Sequence, residues 1–279
     1  MLRATAALLL CASPLAAQDF YGQATLSFGQ SDTVGTPVGL QGADGTLGTG
    51  RAELSFGRLS DNGLYLQADL GLTATDNGNA APNTANTSNS LVLRAGRAAD
   101  RFSYGAFVGA LQSDHDNDAT DDAMRLLAGV EGAWALNERW SFNAHLGYLT
   151  GDSGSDSVAT VTDGVFTGVG ITLAANDALS FGTSIGYLNA QMDAPSTVVE
   201  LWTLELRVDY DIASVPGLSV FAAAQYGESH QKEIVGLDDI TDTTTIMAGI
   251  TYRFGRKGPK TTNLGYLEPY LSNTGGILE

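Results

Sequence analysis

Glu53, Asp69, Arg94, Arg125, Glu131, His145, Glu205 and Arg207 all occupy the polar positions of segments that alternate apolar and polar residues. Carboxylates and guanidiniums spaced this way can line a mixed-charge constriction, or close into salt bridges that fill an interior. Glu53, Asp69 and Arg94 fall on three consecutive segments, near mid-height in an ordinary register, and both readings are open for them. His145 stands one segment away from Glu131, and a His–carboxylate pair can orient a general base. No serine in a nucleophile motif accompanies it, so a histidine that only hydrogen-bonds is the stronger reading. The run Ser113-Asp114-His115-Asp116-Asn117-Asp118 has Asp at alternate positions, as a calcium loop begins, but lacks the glycine and the closing glutamate such a loop needs. A solvated acidic loop is expected there and no metal site. No glycine motif stands between a strand and a helix, so no nucleotide or other cofactor is expected.

The elements that must position these groups are strands. In the segment 244–254, Ile246, Ala248, Ile250, Tyr252 and Phe254 share one parity, and Thr245, Gly249, Thr251 and Arg253 the other, with Met247 the exception. Period-two alternation of this length is a strand with one apolar and one wet face. The same pattern recurs in twelve segments: 19–30, 49–58, 63–75, 90–98, 101–112, 122–135, 139–150, 163–174, 178–190, 198–211, 217–228 and 243–254. Each reaches the roughly 9–11 residues that a tilted strand needs to cross a bilayer. Connections alternate short and long without a break, the short ones near 58–62, 98–101, 136–138, 175–177 and 212–216. The strand number is even and both ends fall on the short-turn side. Aromatics cluster near the ends of the apolar faces, among them Phe20, Phe28, Trp140, Tyr148, Trp202, Tyr210 and Tyr252, as two interfacial girdles require. Together these features predict an all-β, closed up-and-down antiparallel barrel of about twelve strands. Closure follows from physics, since every backbone N–H and C=O inside hydrocarbon must be paired.

Residues 1–17 carry Arg3, an apolar run and Leu15-Ala16-Ala17, the pattern of a secretory signal peptide. Cys11, the one cysteine, lies within it, so the mature chain is expected to hold no disulfide. Residues 18–254 form the expected barrel, and the basic break at Gly255-Arg256-Lys257-Gly258-Pro259-Lys260 opens a periplasmic C-terminal tail, 255–279. The formal net charge of -17, from 31 acidic and 14 basic residues, disfavours nucleic acid as a partner.

The wet face also carries Phe107, Leu111, Leu127, Leu149, Phe166, Leu188, Phe221 and Met247, and glycines at 105, 109, 168, 170, 182 and 186. Glycine leaves space and large apolar groups fill it, which together predict a narrow, partly lined lumen.

On the signal peptide, the twelve amphipathic segments and the Tyr252-Arg253-Phe254 ending, the chain resembles the bacterial outer-membrane β-barrel proteins, porin-like in the broad sense. The resemblance implies outer-membrane lipid and lipopolysaccharide around the barrel, and a barrel-assembly machinery that reads Tyr252 and Phe254. It implies passive diffusion of small solutes through a mixed-charge lumen, without enzymatic activity. The alternative is a structural or adhesive barrel with a plugged lumen, acting through its acidic external loops. A barrel enzyme using His145 or His115 is a third reading. An autotransporter translocator, also twelve-stranded, needs an N-terminal passenger, for which the first strand leaves no room. The permeating solute and the oligomeric state are not given by the sequence.

Overall fold

A computed structural model describes residues 19–36, 45–76, 85–115, 123–152, 161–192, 198–232, 238–262 and 264. The described residues form twelve strands: β1 Phe20–Thr36, β2 Gly45–Leu59, β3 Leu64–Asp76, β4 Ala85–Ala98, β5 Phe102–His115, β6 Ala123–Ala135, β7 Trp140–Asp152, β8 Val161–Ala174, β9 Leu179–Met192, β10 Val198–Asp211, β11 Leu218–Lys232 and β12 Asp238–Gly255. They close into one antiparallel barrel in sequence order, β12 sealing against β1 from Tyr21↔Gly255 to Thr36↔Ile240. No helix is described, and the sequence-predicted barrel and strand number both hold.

Most strands run longer than the alternating segments. Their added length lies on the long-loop side, where β2, β4 and β12 begin four or five residues before the apolar alternation does. Ladder hydrogen bonds continue there because backbone pairing does not depend on an apolar face.

The short connections are set by local chemistry. Asn137 Oδ1 accepts from the N–H of Arg139 and Trp140 at 2.9 and 2.8 Å. Asn176 repeats the motif with Ala178 and Leu179, both at 2.9 Å. Such Asx turns let a short side chain replace the missing ladder partner. Gly63 and Gly217 take φ of 84° in two other short turns, a conformation that disfavours a Cβ.

Outside, Leu66, Phe28, Val130, Leu206 and Ile246 stand well exposed along with most large apolar residues of the outward parity. A continuous apolar exterior of this size needs hydrocarbon as its solvent. Its height is marked on single strands by aromatic pairs eight residues apart, Phe20 and Phe28, Trp140 and Tyr148, Trp202 and Tyr210. At about 3.3 Å per residue and a tilt of about 40°, this spacing spans roughly 20 Å of bilayer, close to the apolar band of such barrels. At the seam, Phe254 covers Gly22, whose place a Cβ would contest.

The inward glycines do not leave free space in the way their type suggests. Ring side chains from the neighbouring strand lie on them. Phe166 covers Gly147, Phe107 covers Gly129, Tyr65 covers Gly96 and Gly105, Tyr21 covers Gly57, and His145 Cε1 lies 2.5 Å from the position of a Cβ on Gly168. Glycine is used on the inner wall chiefly as a seat for an aromatic. Gly182 is an exception, with only Arg207 Cβ near its missing side chain, at 3.9 Å. Gly147→Ala is therefore expected to lower stability by about 1–3 kcal/mol, the cost of overpacking, because Phe166 is fully buried and has nowhere to go. Gly182→Ala is expected to change it little. Thermal unfolding of the two variants in detergent micelles checks the contrast.

Candidate functional site

All eight ionisable positions named from the sequence fall on the inner wall, in register with buried or half-buried neighbours. They do not form one group. Arg94 on β4 joins Asp69 on β3 through its Nε and Glu131 on β6 through its Nη1. The guanidinium spans β5 without obstruction, because Gly105 stands opposite Glu131 and the Phe107 ring lies 5.7 Å from the Arg94 Cζ. Two tyrosines extend the cluster. Tyr65 donates to Glu131 Oε1 at 3.3 Å, and Tyr21 donates to Gln67, whose amide in turn donates to Asp69 at 2.7 Å.

Glu53 is not part of this cluster, contrary to the expectation that it would join Asp69 and Arg94. It pairs with Arg51 on its own strand at 2.7 Å. The reason is register: Glu53 stands opposite Gly71, two residues further along β3 than Asp69 and nearer the long-loop end. Arg207 forms the opposite side, bidentate to Asp209 at 2.9 and 2.8 Å and stacked on the Phe221 ring at 3.7 Å. Glu205 lies on the same wall, with Arg207 and Arg51 as its nearest opposing charges. Arg125 belongs to neither half. It is buried near the long-loop end, where Nε donates to the Val161 carbonyl and Nη1 to Ser113 at 3.4 Å each.

The two halves differ in their access to water. The Arg94 and Glu131 side chains are 4% and 3% exposed, with Asp69 at the edge of the cluster at 20%, whereas Arg51, Glu53, Arg207 and Asp209 keep 15–31%. The cause lies above and beside them. On the β4–β10 wall, Val92, Phe107, Leu111, Leu127, Leu149, Phe166, Leu188 and Leu201 pack into one apolar cluster, and the Arg94–Glu131 bridge closes its short-turn side. The β10–β12 and β1–β2 wall carries instead Thr203, Gln225, Thr245, Thr251, Thr25 and Ser27. The lumen is thus apolar and filled along one wall, polar along the other.

His145 faces Glu131 across the β6–β7 pair, as its position predicts. Its ring is buried against Phe166 at 6.0 Å, and the Glu131 carboxylate already accepts from Arg94, Tyr65 and Thr262. That arrangement suits a packed, hydrogen-bonding histidine. His115 ends β5, and the acidic positions that follow it, from Asp116, lie outside the described residues.

The described tail residues do not stop at the mouth. Arg256 donates to the Leu59 carbonyl at 3.1 Å, Gly258 lies on the Tyr21 ring, and Ser103 Oγ donates to the Lys260 carbonyl at 2.7 Å. Thr262 then donates twice to Glu131 Oε2, from its N–H at 3.1 Å and its hydroxyl at 2.7 Å, and Leu264 joins the apolar cluster. The Lys260 ammonium, drawn partly out of water and close to Lys257, is held below the ordinary lysine value.

Known structures share this architecture. The β domain of the Bordetella autotransporter BrkA is 14% identical, with a TM-score of 0.51 over 85% of this chain and 100% of that one. The fold is that of the outer-membrane β-barrels. The Neisseria meningitidis NalP translocator domain is 13% identical over 85% of this chain and 89% of its own, TM-score 0.49. The P. putida toluene transporter TodX is 11% identical over 86% and 91%, TM-score 0.45. No protein-family model matches the sequence, and no curated protein matches it.

For this barrel, sequence reasoning overlooked four participants. Arg51 shares the parity of Glu53 two residues away, a signal that was available. Tyr21 and Tyr65 also sit on the inner parity, next to the short turns. Thr262 carries no signal, since nothing in the tail's composition distinguishes it from a solvated segment.

Proposed function

We propose that the chain is an outer-membrane channel through which small solutes diffuse passively, and that it has no enzymatic role. The observation that carries this reading is a charged wall whose paired side chains keep 15–31% of their surface exposed. Arg51, Glu53, Glu205, Arg207 and Asp209 bring two guanidiniums and three carboxylates together beside a hydroxyl- and amide-lined strip, and water reaches them. Arg51–Glu53 and Arg207–Asp209 are pairs along single strands beside this polar strip, whereas Arg94 joins its partners across strands under the apolar cluster. Selectivity in such a lane comes from its width and from the field at its narrowest level. The burial of His145 under Phe166 supports the non-enzymatic part of the reading.

The surroundings follow from the outside. The apolar band would contact outer-membrane lipid and lipopolysaccharide. Tyr252 and Phe254, on the strand that closes the barrel, would be read by the assembly machinery. The second reading, a structural or adhesive barrel acting through external loops, is favoured by the packed apolar wall alone.

Conductance across a planar bilayer separates the two. Discrete steps are expected from the purified protein. Arg207→Glu is expected to raise cation over anion permeability about threefold, because it reverses a charge on the wetter wall. Glu53→Gln should move the ratio the other way. A membrane that stays silent at all voltages sinks the channel reading.

A further inference from the structure

The lumen contains a peptide-binding cradle, and the chain's own tail occupies it. Three inner-wall side chains meet the tail's backbone and hydroxyls. Ser103 donates to a backbone carbonyl, that of Lys260. Gln67 Nε2 lies 3.5 Å from Thr261 Oγ1. Glu131 accepts both an N–H and a hydroxyl from Thr262. Below them the Tyr21 ring lies so close to Gly258 that a Cβ there would overlap it. Above them Leu264 enters the apolar cluster. A carbonyl, an amide N–H and a side chain read at successive positions are how an extended peptide is recognised.

We propose that residues 256–262 and Leu264 are a cis-bound peptide ligand of this cradle and act as a releasable constriction of the channel. The consequence for conduction rests on the channel reading; the seating of the peptide does not. Release is feasible because the charged and amide side chains of the cradle each keep a partner, and Ser103 alone exchanges its tail partner for water. Glu131 keeps Arg94 and Tyr65, Arg94 keeps Asp69, and Gln67 keeps Tyr21 and Asp69. A buried carboxylate that lost every donor on release would make the seat permanent. The described part of the tail is held by its polar contacts, by Gly258 on the Tyr21 ring and by Leu264, and forms no secondary structure of its own. Its basic residues Arg256, Lys257 and Lys260 remain exposed along the entry, so the segment below the seat stays in contact with water.

The test uses the full chain with two tail substitutions, Thr262→Val and Leu264→Glu, which leave every barrel residue intact. Two readouts are taken. Hydrogen exchange at the Thr262 amide is expected to be slow in the unaltered protein and to approach the unprotected rate at position 262 of the variant. Single-channel conductance is expected to rise about twofold in the variant, as the narrowest section widens, and to return when a synthetic peptide of residues 256–264 is added. The same peptide carrying Thr262→Val should restore it at concentrations about tenfold higher, the loss given by one hydrogen bond to a charged group. An unprotected Thr262 amide in the unaltered protein overturns the seating. A protected amide with unchanged conductance in a conducting variant overturns the constriction while leaving the channel intact. A protected amide in a protein that never conducts upholds the seat and defeats the channel reading instead.

Discussion

Arg94→Ala is expected to destabilise the barrel by about 3–5 kcal/mol, the range for removing one partner from a buried ion pair. Arg94 is the shared cation of Asp69 and Glu131, and its side chain is almost wholly enclosed. Without it two carboxylates remain on the inner wall, one of them as enclosed as Arg94 itself. Tyr65, Thr262 and Gln67 still donate to the pair, yet no positive charge replaces the guanidinium. Arg94→Met, which keeps the volume against Phe107 but not the charge, should be nearly as damaging. The triple variant with Asp69→Asn and Glu131→Gln should recover much of the loss, because amides do not repel and are cheaper to bury. Urea unfolding in micelles, followed by tryptophan fluorescence, measures all three. An Arg94→Ala midpoint close to that of the unaltered protein would mean that water enters this cluster freely, and the division of the lumen into a sealed and an open half would have to be abandoned.

Leu206→Arg is expected to cost about 2–4 kcal/mol, as a basic residue does on the lipid face near the bilayer midplane. Leu206 is outward and exposed, and it stands midway between Trp202 and Tyr210 on the same strand. The same substitution at Val215, also exposed but in a short turn outside the apolar band, should change stability by no more than a surface replacement does. Exposure alone cannot tell these sites apart. Their difference is the solvent, hydrocarbon at one and water at the other. Refolding into lipid vesicles gives the comparison directly, and equal costs at the two positions would sink the placement of the membrane between the aromatic girdles.

Most of the architecture was legible in the chain. A period of two places every second side chain on the same face, so the parity of an outward Leu206 or an inward Glu205 can be read without knowing which strand lies beside it. Alternating loop lengths and aromatic positions then set the number of strands, the two ends and the band between them. The same local rule put Glu53, Asp69, Arg94, Arg125, Glu131, His145, Glu205 and Arg207 inside, where they are.

What parity cannot supply is height and partnership. Two inward residues on neighbouring strands meet only in one register, and register is a property of the pair of strands. So Glu53 and Asp69 look equivalent in sequence, yet one turns to Arg51 in a wet lane and the other to Arg94 in a dry cluster. Glycine shows the same limit: its absence of a side chain is local, but whether a ring fills the gap, as Phe166 does at Gly147, depends on the next strand. The course of the tail lies furthest from local rules. Residues 256–264 have no period and few apolar groups, and Thr262 reaches Glu131 across 131 positions of sequence. The chain by itself determined the cylinder and which face of each strand meets lipid. Only closure of the cylinder decided which charges pair, which wall stays wet and what occupies the space between, because those contacts join residues that nothing in the local pattern connects.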